Sequence, residues 1–557
     1  MAEQRTGGRV LVDQLALNGV TRVFGVPGES YLAVLDALVD VPSIEFTICR
    51  QEGGVAMMAD AQGKMTGRPG IAFVTRGPGA TNASAGVHIA FQDSTPMILF
   101  IGQVARETVE RDAFQEIDYR QMFGPMCKWV AQIDDAARIP EFIHRAFATA
   151  MNGRPGPVVL ALPEDMLTDV VAVPDGRPAQ LTSPAPAPEA IKTLKANLDA
   201  SSKPVIIAGG SGWDHASCAA LERFAEAHAI PVAVGFRRQD LIDHAHPCYA
   251  GDIGIGANPK LLALLNEADH WLVLGSRLGE MTSGGYTRFG LPVPQVPMTH
   301  VLNGPEELGR VYQPEHLILA SPDRFLQALE AEYGNSPAPA AERQAWRERA
   351  RANFLDVAKP PAIPGDLQMA AVIDELNERL PKDAIIANGA GNYTAWPNRY
   401  YRYGGFRTQL APTSGSMGYG LPAAVAAALL EPSRAVVCFA GDGCLMMTVQ
   451  ELATAVQYHA KVKILVVNNG MYGTIRMHQE REYPGRISGT PLSNPDFAAM
   501  ARAFGAFGAT VRQTAEFTGA FADAMAFDGP ALIDLQVDPE AITPVTTIAK
   551  MRAAANQ

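Results

Sequence analysis

The chain has 557 residues, 47% of them hydrophobic, and a formal net charge of −12 from 46 basic and 58 acidic residues. This length predicts about three domains of ordinary size. The acidic balance argues against a nucleic-acid partner or an anionic membrane surface. The sequence has no apolar run of the ~20 residues needed to span a bilayer, and Met1 leads into Ala2-Glu3-Gln4-Arg5 without a signal-peptide core.

The six cysteines lie mostly in apolar runs, and none of them forms a C-x-x-C pair. This usage is typical of a reducing compartment. Together with the missing signal-peptide core, it predicts a cytoplasmic protein that does not enter a membrane.

Two proline-rich stretches divide the chain. One runs from Pro174 to Pro188, and the other runs from Asn335 to Pro364 around one charged helix. Such stretches act as stiff spacers. Each of the three blocks between them alternates apolar strands with amphipathic helices, which predicts α/β domains with doubly wound parallel sheets. We expect domains at residues 1–173, 189–334 and 365–545.

The first block opens with an amphipathic helix and a strand that runs into a glycine turn at Gly28-Glu29. A second strand leads to Glu52, which precedes a helix rich in Ala and Met. Taken alone, a glutamate in the first turn of a helix is a favourable capping residue. The same ordinary interpretation applies to Glu29, which would then be a solvated cap.

In the middle block, two strand-like runs end in tight turns. These are Val205 to Gly210 and Trp271 to Arg277. The arrangement is Rossmann-like and suits either an adenine nucleotide or a purely structural domain.

The third block contains the most informative pattern. Gly441-Asp442-Gly443-Cys444 follows one apolar run, and Asn468-Asn469 ends the next. A helix between two such runs makes a βαβ unit, whose parallel strands bring Asp442 and Asn469 to the same carboxyl edge of a sheet. Carboxylate and amide oxygens suit Mg²⁺, which shares its ligands with substrate phosphates. Gly443 allows close approach of a diphosphate, and the following helix offers it an N-terminus.

Each half of this pattern is common by itself, since Asn-Asn-Gly is an ordinary turn. Together, at this spacing, they resemble the diphosphate–Mg²⁺ signature of thiamine-diphosphate (ThDP) enzymes. The resemblance implies that Asp442, Asn469 and the carbonyl of Met471 hold the metal. It also implies that Glu52 hydrogen-bonds N1′ of the aminopyrimidine and thereby promotes removal of the thiazolium C2 proton.

Nearly the whole chain resembles acetolactate synthases of the large, catalytic-subunit type. The segments that carry this resemblance are Thr75–Asn82, Gly102–Val104, Ala113–Glu116, Gly156–Val158, Leu162–Asp165, Gly391–Tyr393 and Ser416–Pro422. The family implies a pyrimidine-binding first domain, a Rossmann-like central domain and a diphosphate-binding third domain. It also implies a homodimer or homotetramer with active sites between subunits.

Several residues acquire roles from this resemblance. Phe114 and Gln115 contribute to the active-site rim, and Met417 is the apolar wedge beneath the cofactor. By itself Met417 suggests core packing, but its spacing ahead of Asp442 matches the wedge. The residues expected to contact the cofactor are Gly391, Asn392, Tyr393, Met417, Gly441, Gly443, Cys444, Met471 and Tyr472.

The chain departs from the family pattern in three places. His478 stands where branched-chain enzymes have a tryptophan that selects the second 2-oxo acid, and Glu29 replaces a small residue. Both are candidates for substrate contact, although a histidine in such a helix is more often an ordinary surface or core residue. In the segment that grips FAD, Gly279-Glu280 replaces an acidic pair. FAD is therefore possible but not established.

These features predict a ThDP- and Mg²⁺-dependent transferase or lyase that decarboxylates a 2-oxo acid and joins the resulting enamine to a second carbonyl. The alternative is a ThDP-dependent 2-oxo acid decarboxylase or 2-hydroxyacyl lyase, although the chain has no adjacent His-His pair of the kind decarboxylases commonly use. A non-catalytic paralogue is disfavoured by the joint presence of Glu52, Asp442 and Asn469. The sequence leaves open the donor, the acceptor and any regulatory subunit.

Overall fold

A computed structural model describes residues 3–334 and 339–555, so Pro337 of the second proline-rich stretch lies outside the described residues. The chain forms two compact units. The first comprises Met1–Thr182, Pro412–Pro432 and Met447–Lys461. The second comprises Ser183–Ala411, Ser433–Met446 and Val462–Gln557.

The first unit is built on a six-stranded parallel sheet. The strands of the whole unit are β1 (Gln4–Thr6), β2 (Arg22–Gly25), β3 (Glu45–Ile48), β4 (Gly70–Val74), β5 (Met97–Gln103), β6 (Trp129–Gln132), β7 (Pro157–Pro163) and β8 (Val170–Ala172). Its first helices are α1 (Gly7–Leu17), α2 (Leu32–Val39), α3 (Glu52–Thr66), α4 (Pro78–Asp93), α5 (Tyr119–Phe123) and α6 (Ile139–Met151). The sheet order is β3-β2-β4-β5-β7-β6, and β1 pairs separately with β8. Strands β4, β5 and β7 are buried along their whole length, as expected for a parallel sheet.

The central sheet belongs to the second unit. Its strands are β9 (Pro204–Ala208), β10 (Val232–Val234), β11 (Tyr249–Asp252), β12 (His270–Leu274), β13 (Met298–Leu302) and β14 (His316–Leu319). The helices of this region are α7 (Pro188–Ala200), α8 (His215–Ala227), α9 (Pro259–Glu267), α10 (Glu280–Ser283), α11 (Pro322–Tyr333) and α12 (Ala341–Val357). The order is β11-β10-β9-β12-β13-β14 with parallel pairing throughout.

The third sheet also lies in the second unit. Its strands are β15 (Ile385–Asn388), β16 (Gln409–Leu410), β17 (Val436–Gly441), β18 (Val462–Asn468), β19 (Phe507–Val511) and β20 (Ala531–Gln536). The helices of this region are α13 (Met369–Arg379), α14 (Ala395–Tyr400), α15 (Gly420–Leu430), α16 (Asp442–Leu445), α17 (Glu451–Gln457), α18 (Gly473–Glu482), α19 (Phe497–Ala503), α20 (Thr514–Ala526) and α21 (Ile548–Ala555). The order is β16-β15-β17-β18-β20-β19, all parallel, so the strand order reverses between β15 and β17. The predicted architecture of three parallel α/β sheets is thus confirmed.

Helices α15 and α17 group with the first unit because α15 packs on α3 and α17 packs on α15. Helix α3 is buried along most of its length. A Cβ on Gly86 of α4 would lie 2.4 Å from the Cβ of Ala56, and a Cβ on Gly54 would lie 2.6 Å from Oε1 of Glu451 in α17. These close approaches explain why glycine stands at both positions.

Two general features complete the fold. Over residues 3–334 and 339–555, none of the helices combines the length and apolar character needed to cross a membrane. All six cysteines are free thiols.

Candidate cofactor and active site

The turns after β17 and β18 meet at one edge of the third sheet. The two strands are parallel neighbours, with Gly441 opposite Val467. The backbone N–H of Gly470 donates to Oδ2 of Asp442 at 2.9 Å. Asp442 is only 2% exposed. The βαβ pattern therefore brings the predicted carboxylate and the Asn469-Gly470 turn together at the carboxyl ends of β17 and β18. This position is next to the point between β15 and β17 where the strand order reverses, which is where such sheets bind ligands.

A further residue, Asn494, completes this cluster. Its side-chain amide donates to Oδ2 of Asp442 at 2.7 Å and to Oδ1 of Asn468 at 3.0 Å. Asn494 reaches the site because residues 490–492 pair with residues 470–472 through two backbone hydrogen bonds of 2.8 and 2.9 Å. Sequence analysis missed Asn494, since it lies in a Ser-Asn-Pro loop that carries no motif.

The electrostatics of Asp442 bear on which ion could bind. Burial raises the pKa of its carboxyl group, and hydrogen bonds from Asn494 and the backbone of Gly443 and Gly470 act in the opposite direction. A cation beside the carboxylate would stabilise its charged form. Among the described residues, no group of three or more His, Cys, Asp or Glu side chains could hold a metal. One carboxylate with neutral amide and carbonyl oxygens fits Mg²⁺, which keeps its remaining positions for water and phosphate.

Two tyrosine rings frame the same turn. A Cβ on Gly443 would lie 2.6 Å from Cε1 of Tyr472, and a Cβ on Gly441 would lie 2.9 Å from Cδ1 of Tyr393. A side chain at Gly441 or Gly443 would clash with one of these tyrosine rings, which explains the glycine at both positions. The hydroxyl of Tyr393 accepts from the N–H of Gly389 at 3.0 Å and contacts Sγ of Cys444 at 3.2 Å.

The Gly391–Tyr393 segment follows β15 and joins this cluster. Gly391 has φ +141°, a backbone conformation that favours glycine. The amide of Asn392 donates to the carbonyl of Ile542 at 3.2 Å and accepts from the hydroxyl of Thr474 at 2.9 Å. The second unit thus assembles the predicted diphosphate-binding residues from the ends of β15, β17 and β18.

Glu52 begins α3 in the first unit. The preceding Gln51 caps the helix, because its side chain accepts from the N–H of Gly54 at 3.1 Å. The carboxylate of Glu52 instead accepts from the side-chain amide of Asn82 at 2.9 Å. Glu52 is partly exposed. The capping requirement is met by the neighbour, which leaves the Glu52 carboxylate available for other chemistry.

A buried carboxylate, Glu451, fixes the turn that precedes Glu52. It accepts from the backbone N–H groups of Arg50 at 3.1 Å and Gln51 at 3.0 Å, and from the hydroxyl of Thr454 at 2.6 Å. Burial raises the pKa of this carboxyl group. Sequence analysis missed this residue, although a glutamate beside Leu and Ala in a short apolar helix is unusual for a solvated face.

The rim residues of the first unit surround Arg76. Its guanidinium donates to Glu29 at 3.0 Å, to Glu164 at 2.9 Å and to the carbonyl of Phe114 at 3.2 Å. Phe114 is 72% exposed, which is a large exposure for an aromatic side chain. The carboxylate of Glu29 is therefore ion-paired, and the loop that presents Phe114 is tied to the same cation.

The Thr75–Gly79 turn lies at the centre of these residues. A Cβ on Gly77 would lie 2.8 Å from the Cβ of Gln115, and a Cβ on Gly79 would lie 3.4 Å from Oε1 of Glu52. Gln115 itself has φ +65°, which is uncommon for a residue other than glycine. The turn thus brings Glu52 and the rim loop near one another in the first unit.

Met417 and His478 are both at least partly exposed to solvent. Met417 is partly exposed, so it is not part of the buried core. His478 is exposed on α18, and its Nδ1 accepts from the guanidinium of Arg481 at 2.5 Å.

Three profiles for domains of thiamine pyrophosphate enzymes match the chain. They are the N-terminal TPP binding domain over residues 5–122, the central domain over residues 191–329 and the C-terminal TPP binding domain over residues 389–535. The mitochondrial acetolactate synthase of Schizosaccharomyces pombe is 31% identical over 96% of this chain and 83% of its own length. The acetolactate synthase isozyme 1 large subunit of Escherichia coli is 31% identical over 96% of this chain and 94% of its own length. The chain belongs to the acetolactate synthase family of thiamine pyrophosphate enzymes. It is a ThDP-dependent enzyme, as the sequence predicted.

In the central domain the strand order reverses between β9 and β12, which is where such a sheet would bind a dinucleotide. A Cβ on Gly210 would lie 1.9 Å from the carbonyl oxygen of Gly275, so the turns after β9 and β12 pack directly on one another. Trp213 donates to the carbonyl of Gly209 at 2.8 Å, and Asp214 caps the N-terminus of α8.

Proposed function

We propose that this member of the acetolactate synthase family is a ThDP- and Mg²⁺-dependent carboligase. It decarboxylates a 2-oxo acid and joins the remaining fragment to a second carbonyl compound. The observation that carries the proposal is the meeting of Asp442 with the Asn469-Gly470 turn at the carboxyl ends of β17 and β18. The names of its relatives favour pyruvate as the first donor to test.

The residues of the second unit suit the cofactor's charged end. Asp442, Asn469 and the carbonyl of Met471 would hold Mg²⁺, while Asn392 and the Gly441–Cys444 turn would bind the diphosphate. The N–H groups that begin α16 add favourable polarity for an anion. When bound, ThDP supplies the electron sink that allows CO₂ to leave.

The residues of the first unit suit the reactive end. Glu52 would hold a proton at N1′ of the aminopyrimidine, and the grip of Glu451 on the preceding backbone would keep Glu52 in place. Met417 would support the thiazolium ring with an apolar surface. Because Phe114 is highly exposed on a tied loop, we expect it to be covered in a homodimer or homotetramer whose active sites lie between subunits.

Turnover of pyruvate with ThDP and Mg²⁺ tests the activity. Accumulation of acetolactate supports the carboligase, acetaldehyde supports the decarboxylase alternative, and no product from any donor in a 2-oxo acid screen supports a non-catalytic paralogue. Mass spectrometry distinguishes the products.

The role of Glu52 has a separate readout. Glu52→Gln should lower activity by roughly 10²–10⁴-fold, the usual contribution of acid–base assistance, while calorimetry should show ThDP affinity close to that of the parent. Exchange of the C2 hydrogen of bound ThDP, followed by NMR, should slow in parallel. Glu189→Gln, an exposed residue in the first turn of α7, is the matched control. Exchange as fast in Glu52→Gln as in the parent would show that Glu52 is not the residue involved.

Glu29 and His478 are proposed to influence product partition. Glu29→Gln and His478→Ala should alter the ratio of released aldehyde to carboligation product more than they alter C2 exchange, because a carboxylate or an imidazole that faces the substrate can act as a general acid or base. Unchanged ratios in both variants would assign them to the scaffold.

A further inference from the structure

The backbone on the N-terminal side of Met417 is anchored to α4. Asp93, the last residue of that helix, accepts from the backbone N–H of Thr413 at 2.8 Å and also from its hydroxyl. The Asp93 side chain is 3% exposed. Four residues before Met417, the chain is therefore held by a buried carboxylate.

A second anchor lies on the C-terminal side. Tyr419 is fully buried, and its hydroxyl donates to Asp60 at 2.7 Å. Lys64 donates to the same hydroxyl at 3.1 Å and lies 4.5 Å from the centre of the tyrosine ring. Both Asp60 and Lys64 belong to α3, so this anchor fixes the chain two residues after Met417.

One cation connects the two anchors. Lys64 forms an ion pair with Asp60 at 2.8 Å and another with Asp93. A buried network of this kind adds little net stability compared with apolar packing, but it requires one geometry. Asp60 is fully buried, and among the described residues its Oδ1 has no hydrogen-bond partner. The cluster is therefore better suited to setting position than to maximising stability.

Gly418, which lies between Met417 and the second anchor, has little conformational freedom. Gly418 has φ +83°, and its carbonyl accepts from the hydroxyl of Thr448 at 2.7 Å. A Cβ at Gly418 would lie 2.9 Å from the Cβ of Met447. The backbone is thus fixed on both sides of Met417, while the Met417 side chain remains partly exposed.

We propose that Asp60, Lys64, Asp93 and Tyr419 form a positioning cluster that fixes the Met417 segment against α3 and α4 without touching the cofactor. This inference rests on the proposed function, in which Met417 supports the thiazolium ring. The cluster acts through Met417, so its loss should disturb the reactive end of ThDP and spare the diphosphate end.

The test compares Asp93→Ala, Tyr419→Phe and Met417→Ala, each as the full chain. Asp93→Ala should slow C2 exchange of bound ThDP by on the order of 10–100-fold, which is the effect expected from a misplacement of about 1 Å. ThDP affinity measured by calorimetry should stay within about threefold of the parent, because the residues proposed to bind the diphosphate lie outside this cluster. A factor of three is less than 1 kcal/mol of binding free energy. Tyr419→Phe keeps the ring and removes one hydroxyl, so it gives a smaller effect of the same sign if Asp93→Ala folds poorly.

A double-mutant cycle decides whether the cluster acts through Met417. In a Met417→Ala background, Asp93→Ala and Tyr419→Phe should add little further slowing. Equal slowing in both backgrounds, or no slowing in either, overturns the positioning role. If the parent protein itself neither binds ThDP nor accelerates C2 exchange, the proposed function fails instead, so the two failures are distinguishable.

Discussion

The hydrogen bond from Asn494 to Asp442 gives the sharpest prediction about the metal site. Asn494→Ala removes a 2.7 Å donor from the only carboxylate in the proposed Mg²⁺ ligand set. Hydrogen bonds to charged groups contribute about 1.5–3 kcal/mol. At about 1.4 kcal/mol for each factor of ten, Mg²⁺ affinity in the presence of ThDP should weaken by about 10–100-fold. Outer partners of metal ligands typically have effects of about this size.

The assay is a calorimetric titration of Mg²⁺ into protein saturated with ThDP, which needs no catalytic turnover. Ser493→Ala, an exposed neighbour in the same loop, is the matched control. Asp442→Ala should abolish the binding of Mg²⁺ together with ThDP, and this loss sets the upper limit for the effect of Asn494→Ala. Affinity in Asn494→Ala within twofold of the parent would refute the argument that this contact orients the carboxylate. Normal binding in Asp442→Ala would show that the metal site itself is misplaced.

Two further predictions concern buried carboxylates. Glu451→Ala leaves two backbone N–H groups without their acceptor, so it should lower the free energy of unfolding by about 2 kcal/mol or more. Glu451→Gln keeps one oxygen for both donors and should unfold near the parent temperature. Equal losses of stability in the two variants would contradict this account. Glu480 is 1% exposed, and Arg552 lowers the pKa of its carboxyl group to about 2, with smaller contributions from the backbone of Gly485 and from Arg476. Because the ordinary pKa of a glutamate is about 4.3, its stabilising effect is present above that value and is lost as pH falls towards 2. The difference in melting temperature between the parent and Glu480→Gln should therefore shrink below pH 4, whereas Glu482→Gln, on the same helix but 60% exposed, should show little difference at any pH.

The sequence predicted that Asp442 meets the Asn469-Gly470 turn, because this meeting depends on local patterns. Strand β17 is a continuous apolar run, and β18 is apolar apart from Lys463 and the final Asn468. A helix between two such strands allows one common parallel arrangement. Their carboxyl ends then coincide, so Asp442 and the Asn469-Gly470 turn meet for reasons already present in the sequence. The same logic predicted three parallel α/β sheets.

The buried polar residues that contact this turn and its surroundings could not be predicted from any local sequence pattern. Asn494 reaches Asp442 through pairing between segments about twenty residues apart, and Glu451 grips backbone about four hundred positions earlier in the chain. Asp93 and Tyr419 belong to the cluster around Lys64 because α3, α4 and α15 share one unit. Hydrogen bonds between segments distant in sequence depend on how helices pack, and packing depends on side-chain volume and shape across the whole core. The sequence by itself therefore determined the sheets and the meeting of Asp442 with the Asn469-Gly470 turn, while the tertiary structure decided which buried polar groups contact that turn and the segment around Met417.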